Sequence, residues 1–83
     1  MIRQKRIESS SPSFAVSILT WDDETGDGER IEYDADGNAV RRAVVRRFPR
    51  ERWEGDVVGE MTWFDADDRE LGRTPVLLGR SPL

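Results

Sequence analysis

A stretch that reads as a β-hairpin, residues 29–44, constrains the fold more than any other part of this sequence. Asp36-Gly37 separates two runs in which apolar and charged residues alternate, and Asp-Gly is a strong signal for a type I′ turn, whose two central positions need positive φ. With this loop the cross-strand pairs are Tyr33–Val40, Glu32–Arg41, Ile31–Arg42 and Glu29–Val44. One face of the hairpin is then apolar and the other carries a Glu32–Arg41 charge pair.

Residues 39–48 admit a second interpretation. Asn38 could cap a short helix whose apolar stripe ends at Phe48 and which Pro49 would stop. Arg47 would interrupt that stripe, so the pattern favours a strand. The helix remains the alternative.

Other runs rich in β-branched and aromatic residues are bounded by turn residues, which is typical of strands. The predicted strands are 14–21, 57–64 and 70–78. Pro75 marks the last of them as an edge strand or as the site of a bulge. The sequence therefore predicts a mainly β fold, an antiparallel sheet of four to five strands with at most one short helix. A curled sheet and a small barrel are the two forms such a sheet can take.

The second predicted hairpin repeats the turn chemistry of the first. Tyr33-Asp34-Ala35-Asp36 recurs as Phe64-Asp65-Ala66-Asp67, at an offset of 31 residues, and Trp21-Asp22 is a fainter third copy. If Asp67-Asp68 is the loop, the pairs are Phe64–Leu71 and Trp63–Gly72. We interpret the echo as two hairpins that use the same turn residues. Duplication of a repeat unit is the alternative.

The length of 83 residues is that of a single domain. We expect a flexible N-terminal lead over 1–13, with a short edge strand there as the alternative, one β-rich domain over 14–79 and a frayed C-terminus over 80–83. The chain has no Cys, whereas small secreted domains usually depend on disulfides. No apolar leader follows the basic residues at the start. These features predict a cytoplasmic protein without membrane association.

The composition argues against catalysis. The chain has neither His nor Cys, which removes the commonest general base and the commonest transition-metal ligands. Asp34-x-Asp36-x-Asn38 resembles the start of a calcium loop, but the sixth position is Ala39 instead of Gly and the twelfth is Val45 instead of Glu. We therefore predict no enzyme, no cofactor and no metal site, and interpret these Asp residues as turn residues that bond their own backbone.

Arginines concentrate between residues 41 and 53, in a chain whose net charge is −4. Arg beside aromatic residues is typical of protein-interface hot spots and of grooves that hold single-stranded nucleic acid. The candidate partner-binding residues are Arg41, Arg42, Arg46, Arg47, Arg50, Arg52 and Trp53. Alternatively, the arginines pair with Glu29, Glu32, Glu51 and Glu54 on a solvated surface, and Trp53 belongs to the core.

Two resemblances involve these residues. The run Tyr33-Asp34-Ala35-Asp36-Gly37-Asn38-Ala39-Val40-Arg41-Arg42 resembles the repeat core of the YD (RHS-type) β-hairpin proteins, which build shells around secreted toxins, although this chain lacks the many copies that a shell requires. The wider span 21–44, with Glu32, Asp36-Gly37 and Val40-Arg41-Arg42, is similar to a family of small uncharacterised bacterial β-rich proteins. Some of that family lie in toxin–immunity or defence neighbourhoods. Both resemblances imply a strand over 39–48 and a binding role.

The sequence thus predicts a non-enzymatic protein-interaction module, of the kind found among bacterial immunity, anti-defence and accessory proteins, acting by occlusion or scaffolding. One alternative is a nucleic-acid-associated accessory domain that uses the arginines of 41–53. Another is a structural subunit of a larger assembly. A homo-oligomer could form through an exposed strand edge.

Overall fold

The computed structural model describes residues 1–10 and 12–80 and contains six strands in one antiparallel sheet. The strands are β1 (Ile2–Glu8), β2 (Val16–Asp22), β3 (Gly28–Tyr33), β4 (Ala39–Arg47), β5 (Val57–Asp65) and β6 (Glu70–Leu77). Each strand pairs with its neighbours in the chain, so the sheet is an open meander with β1 and β6 at its edges. A three-residue 3₁₀ turn, Arg50–Arg52, lies between β4 and β5. Within the described ranges no helix is long and apolar enough to cross a membrane.

The sheet has six strands where four to five were predicted, because the segment predicted to be a flexible lead contains β1, the edge strand that was the alternative for it. β1 pairs with β2 from Ile2–Asp22 to Glu8–Val16. Its side chains are exposed except that of Ile7, which is half-buried. A strand with so little buried surface carries no apolar alternation, so the hydrophobic pattern did not reveal it. Of the terminus predicted to fray, residues 81–83 lie outside the described residues.

Residues 39–47 form a strand, and the helix alternative for this segment is wrong. Ala43 and Val45 are fully buried, while Arg42 and Val44, on either side of Ala43, are partly exposed. That alternation has the period of two expected for a strand in which successive side chains point to opposite faces.

The register of the first hairpin agrees with the prediction along most of its length, including the Glu32–Arg41 pair. It differs beside the turn, where Tyr33 pairs with Ala39 instead of Val40 and the register shifts by a bulge. The turn explains the difference. Asp34 N–H donates to Asn38 O across a three-residue loop, and in that loop only Gly37 has positive φ, at 83°. This is a type I turn followed by a left-handed residue, and the predicted type I′ turn is wrong.

The second hairpin repeats this arrangement 31 residues later. The predicted Trp63–Gly72 pair is present, but Phe64 pairs with Glu70 instead of Leu71 because a bulge falls at the equivalent position. The pairs of the first hairpin from Gly28–Val45 to Tyr33–Ala39 recur in the second from Gly59–Val76 to Phe64–Glu70. The sequence echo therefore extends to the register of the whole hairpin.

The two faces of the sheet differ in burial. One face, which we call the inner face, carries the buried side chains of β2 to β4: Ser17, Leu19, Glu32, Ala43 and Val45. Val45, Val58 and Val76 form an apolar cluster, against which Trp53 and Met61 pack. The connection between β4 and β5 thus helps to cover one face of a sheet that would otherwise be a single layer.

Candidate functional site

A groove of about 510 Å³ lies on the inner face, at the end of the sheet where β2 and β4 finish. Its apolar lining comes from Ile7, Leu19, Trp21 and Val45, and its cations are Lys5, Arg47 and Arg80. These residues belong to β1, β2, β4 and the chain that follows β6. Strands so far apart in an open sheet can line one groove only because the sheet curls.

The register places the groove side chains of β1 and β2. Lys5 pairs with Leu19 and Ile7 pairs with Ser17. Directly opposed residues of an antiparallel pair project to the same face. Because Leu19 and Ser17 are buried on the inner face, Lys5 and Ile7 project to that face as well. A strand with no apolar alternation therefore still contributes one cation and one apolar side chain to the groove.

Arg47 enters the groove across Gly26. A Cβ added to Gly26 would lie 2.6 Å from Arg47 Nε, and the φ of Gly26 is +80°, so both space and backbone conformation favour glycine at this position. The Arg47 backbone N–H donates to Asp27 Oδ1 at 2.7 Å. The loop between β2 and β3 therefore holds the end of β4 and leaves room for its guanidinium.

The cations of the groove are unpaired. Lys5, Arg47 and Arg80 form no ion pair with any residue that the structure describes. Arg47 Nε is buried and has no acceptor among those residues. Arg30 Nε and Arg42 Nε are buried in the same way, and a nitrogen without accessible surface is closed to a ligand, so the charges of the three side chains are what the groove offers an anion.

The carboxylates at the rim are already engaged. Asp22 Oδ1 accepts the Glu24 backbone N–H at 2.9 Å, which is the main cause of the lowered pKa of Asp22. Asp23 accepts a hydrogen bond from Arg3 Nε, and this bond is the main cause of its lowered pKa. With its acids paired and its cations free, the groove is suited to an anionic ligand.

The seven predicted partner-binding residues do not form one surface. Arg41 and Arg47 project to the inner face, and Arg42 and Arg46, one position out of phase, project to the opposite, outer face. Arg41 donates through Nε to Glu32. Arg42 Nη2 lies 3.4 Å from Asp68 Oδ1, and Arg42 Nη1 lies 3.9 Å from Glu29 Oε2. Two of the four predicted Glu partners, Glu29 and Glu32, are thus engaged by these arginines.

The remaining three predicted residues lie in the connection after β4. Arg50 stacks over Trp53 at 5.5 Å and Arg52 over Phe48 at 5.4 Å. Trp53 packs against the valine cluster, and its Nε1–H donates to Phe48 O at 3.0 Å. This packing agrees with the interpretation of Trp53 as a core residue. Of the seven, Arg47 alone lines the groove.

Sequence reasoning missed Lys5, Trp21 and Arg80 as site residues. Lys5 lay in the segment predicted to be a lead and Arg80 in the one predicted to fray, while Trp21 was interpreted only as a strand residue. No local pattern joins them, because they meet through curling of the sheet. The basic start of the chain, Arg3 to Arg6, was the one available signal.

The inner face also carries a buried carboxylate. Glu32 is 2% exposed, with Arg41 bonded to one of its oxygens and Arg30 3.7 Å from the other. Ser17, its partner on β2, is fully buried. Because two cations compensate this carboxylate, we interpret the group as a structural charge cluster.

No protein-family model matches the chain, and the searches of curated proteins and of solved structures found no significant match. The resemblances to YD-repeat proteins and to small bacterial β-rich proteins therefore stay predictions.

Proposed function

We propose that the protein is a non-enzymatic protein-interaction module, and that its groove on the inner face binds an acidic segment of another protein. The observation that carries the proposal is the cluster of Lys5, Arg47 and Arg80 in the groove lining, none of which forms an ion pair within residues 1–10 and 12–80. A carboxylate can accept from a guanidinium through two parallel hydrogen bonds. Side chains beside that carboxylate would meet Trp21 and the apolar lining.

A protein ligand suits this groove better than nucleic acid. The net charge of −4 and the acids at or beside the rim act alike on a phosphate chain and on an acidic peptide, so the aromatic content of the groove is what separates the two ligands. Non-specific binding of single strands relies on several aromatic platforms along a positive groove, whereas Trp21 is the one aromatic residue in the described lining.

The cellular setting follows the same proposal. A small module without catalytic His or Cys acts by occupying or joining partners, which suits an immunity, anti-defence or accessory protein in the bacterial cytoplasm. Occlusion of a partner's acidic segment and scaffolding are its two modes of action.

A direct test is the affinity for a fluorescently labelled (Glu-Thr)₅ peptide, measured by anisotropy. The controls are (Gln-Thr)₅ and a single-stranded DNA decamer. We expect the acidic peptide to bind at least tenfold more tightly than the Gln peptide, because a hydrogen bond to a charged group contributes about 1.5–3 kcal/mol. Tighter binding of the DNA, with a steep loss as salt rises, would replace this proposal with a nucleic-acid role.

The variants for this assay are matched in charge. Lys5→Gln with Arg80→Gln removes two cations from the groove, whereas Arg50→Gln with Arg52→Gln removes two from the exposed 3₁₀ turn. We expect only the groove pair to weaken the acidic peptide, by about tenfold or more. Equal loss in both pairs would mean that the binding responds to bulk charge and not to the groove.

A further inference from the structure

We propose that the acidic partner segment binds as an added β-strand along the outer edge of β1, with alternate side chains entering the groove. This inference rests on the proposed function and specifies how the ligand is held. Strand addition to an exposed sheet edge takes its affinity from main-chain hydrogen bonds and its specificity from alternate side chains.

The hydrogen bonds at the two ends of β1 define which of its backbone groups are free. Asp23 N–H donates to Met1 O at 3.1 Å and Ser9 N–H donates to Ala15 O at 2.9 Å. In an antiparallel pair, hydrogen-bonded and non-hydrogen-bonded residues alternate. The odd-numbered residues of β1 therefore bond to β2. The N–H and C=O groups of the even-numbered residues point away from the sheet, and these residues are Ile2, Gln4, Arg6 and Glu8.

The two edges of the sheet differ in their ability to accept a strand. β6 carries Pro75 opposite Glu60, and its register shifts twice along β5. Proline offers no N–H and bulges twist an edge away from a partner, so both features oppose strand addition. β1 contains no Pro and keeps a regular register over its full length. The open edge is therefore the one beside the groove.

The charge of β1 selects the occupant. β1 carries three cations, Arg3, Lys5 and Arg6, against one acid, Glu8, so its net charge is positive; Arg3 is paired with Asp23 and Arg6 lies 3.9 Å from Glu8. A second copy of β1 would place like charges across the new pair, which is unfavourable. Charged residues on an edge strand prevent two such edges from pairing with each other. With an acidic strand, the electrostatic interaction across the new pair is attractive instead of repulsive. The partner is therefore an acidic strand from another protein.

The groove and the edge are continuous through β1. Lys5 and Ile7 project into the groove, while Gln4 and Arg6, which alternate with them along the strand, project to the outer face. On a strand added beside β1, every second side chain would lie next to Lys5 and Ile7 on the inner face. A peptide with acids at alternate positions thus meets the free edge and the cations of the groove together.

The test uses two N-methylated forms of (Glu-Thr)₅, one methylated at every Glu amide and the other at every Thr amide. In an edge strand, one alternate set of amides faces the sheet and the other faces solvent. We expect one form to lose at least tenfold in affinity and the other to bind like the unmethylated peptide. Equal affinities of the two forms would overturn strand addition, while weak binding even of the unmethylated peptide would overturn the proposed function.

Amide exchange of the full chain, followed by NMR, gives a second readout. Addition of (Glu-Thr)₅ should slow exchange at Gln4 and Arg6 by at least tenfold, with little change at Lys5, which β2 already protects. Gln4→Pro removes an outward N–H and should abolish binding while leaving the melting temperature close to that of the control Gln4→Thr. Peptide binding without new protection at Gln4 and Arg6, or a Gln4→Pro protein that folds and still binds, would contradict the inference.

Discussion

The guanidinium of Arg41 lies 4.2 Å from the centroid of the Trp63 ring, while its Nε donates to the buried carboxylate of Glu32. The three side chains come from β4, β5 and β3, so a single arginine links three adjacent strands on the inner face. A cation over an indole ring is favourable by about 0.5–2 kcal/mol. Because Glu32 is paired with Arg41, its burial costs less free energy than burial of an unpaired carboxylate would.

Arg41→Ala should lower the free energy of unfolding by about 2–3 kcal/mol, because it leaves Glu32 buried with only Arg30 nearby. The value is below the range for a fully buried pair, since the Arg41 side chain is 44% exposed and solvent screens it. Urea denaturation measures the loss. Arg46→Ala, on the same strand and without an ion pair in the described chain, should change stability by less than about 0.5 kcal/mol. Similar midpoints for the two variants would contradict this role of Arg41.

The equivalent positions of the two hairpin turns both have positive φ, so we expect loss of glycine from the first turn to destabilise the protein and gain of glycine in the second to stabilise it. Gly37 has φ of 83° and Asp68, its equivalent, has φ of 61°. Gly37→Val should cost about 1–2 kcal/mol, because a β-branched residue is strained at positive φ. Nothing lies within 4 Å of a Cβ at this glycine, so the cost is one of backbone conformation alone.

Asp68→Gly should stabilise the protein by about 0.5 kcal/mol, since relief of left-handed strain exceeds the entropic cost of glycine. The exposed Arg42–Asp68 pair that it removes contributes little. Thermal unfolding of both variants beside the parent protein checks the pair of predictions. A destabilised Asp68→Gly protein would show that the Asp68 side chain matters more than its backbone conformation.

The sequence does not determine the type of the first hairpin turn or which face of that hairpin is buried. Asp-Gly suits both a type I′ turn and a type I turn with a bulge, and the choice depends on Asp34, whose Oδ1 accepts N–H bonds from Asp36 and Asn38. The apolar residues Ile31 and Val44 lie on the less buried face of this hairpin. The connection that carries Trp53 covers the opposite face, where Glu32 lies.

Strand positions were more predictable than the site. β2 to β6 follow from β-branched and aromatic runs with short turns between them. β1 has no such run, and it is held by backbone pairing and by the Arg3–Asp23 ion pair. The groove depends on β1 and on Arg80. Residues that are brought together by the curvature of a sheet have no characteristic sequence separation, so the groove could not be predicted from the sequence.

Trp53→Ala should destabilise the protein by about 2–3 kcal/mol, less than for a fully buried tryptophan because the ring is half-buried. The ring packs on the valine cluster, and its N–H bond to Phe48 O would also be lost. Glu51→Ala is the control from the same connection, because Glu51 is exposed, and it should change stability by less than about 0.5 kcal/mol. Trp53→Ala with an unchanged denaturation midpoint would return Trp53 to the list of candidate contact residues.

Acid should loosen β1 selectively. The hydrogen bond from Arg3 is the main cause that holds the pKa of Asp23 below its usual value. A lowered carboxyl pKa contributes stability above the unfolded value of about 3.9, and that stability is lost as the pH falls through the lower folded value. Amide protection of Arg3 and Lys5, corrected for intrinsic exchange, should therefore fall below about pH 4. In Asp23→Asn it should be weaker at neutral pH and the acid step should be smaller, with the remainder caused by Asp22, which pairs with the Met1 amino group. An identical step in both proteins would assign it to another group.

The most direct test of the binding groove is a charge-reversal exchange. Lys5→Glu with Arg80→Glu should weaken binding of (Glu-Thr)₅ at least tenfold and strengthen binding of (Lys-Thr)₅ at least tenfold, since like charges at close range repel and opposite charges attract. Both residues are exposed and unpaired within the described chain, so the fold should persist, and circular dichroism verifies it. The account predicts this exchange of preference. A folded double variant that binds both peptides as the parent protein does would contradict the claim that the groove is where this protein meets its partner.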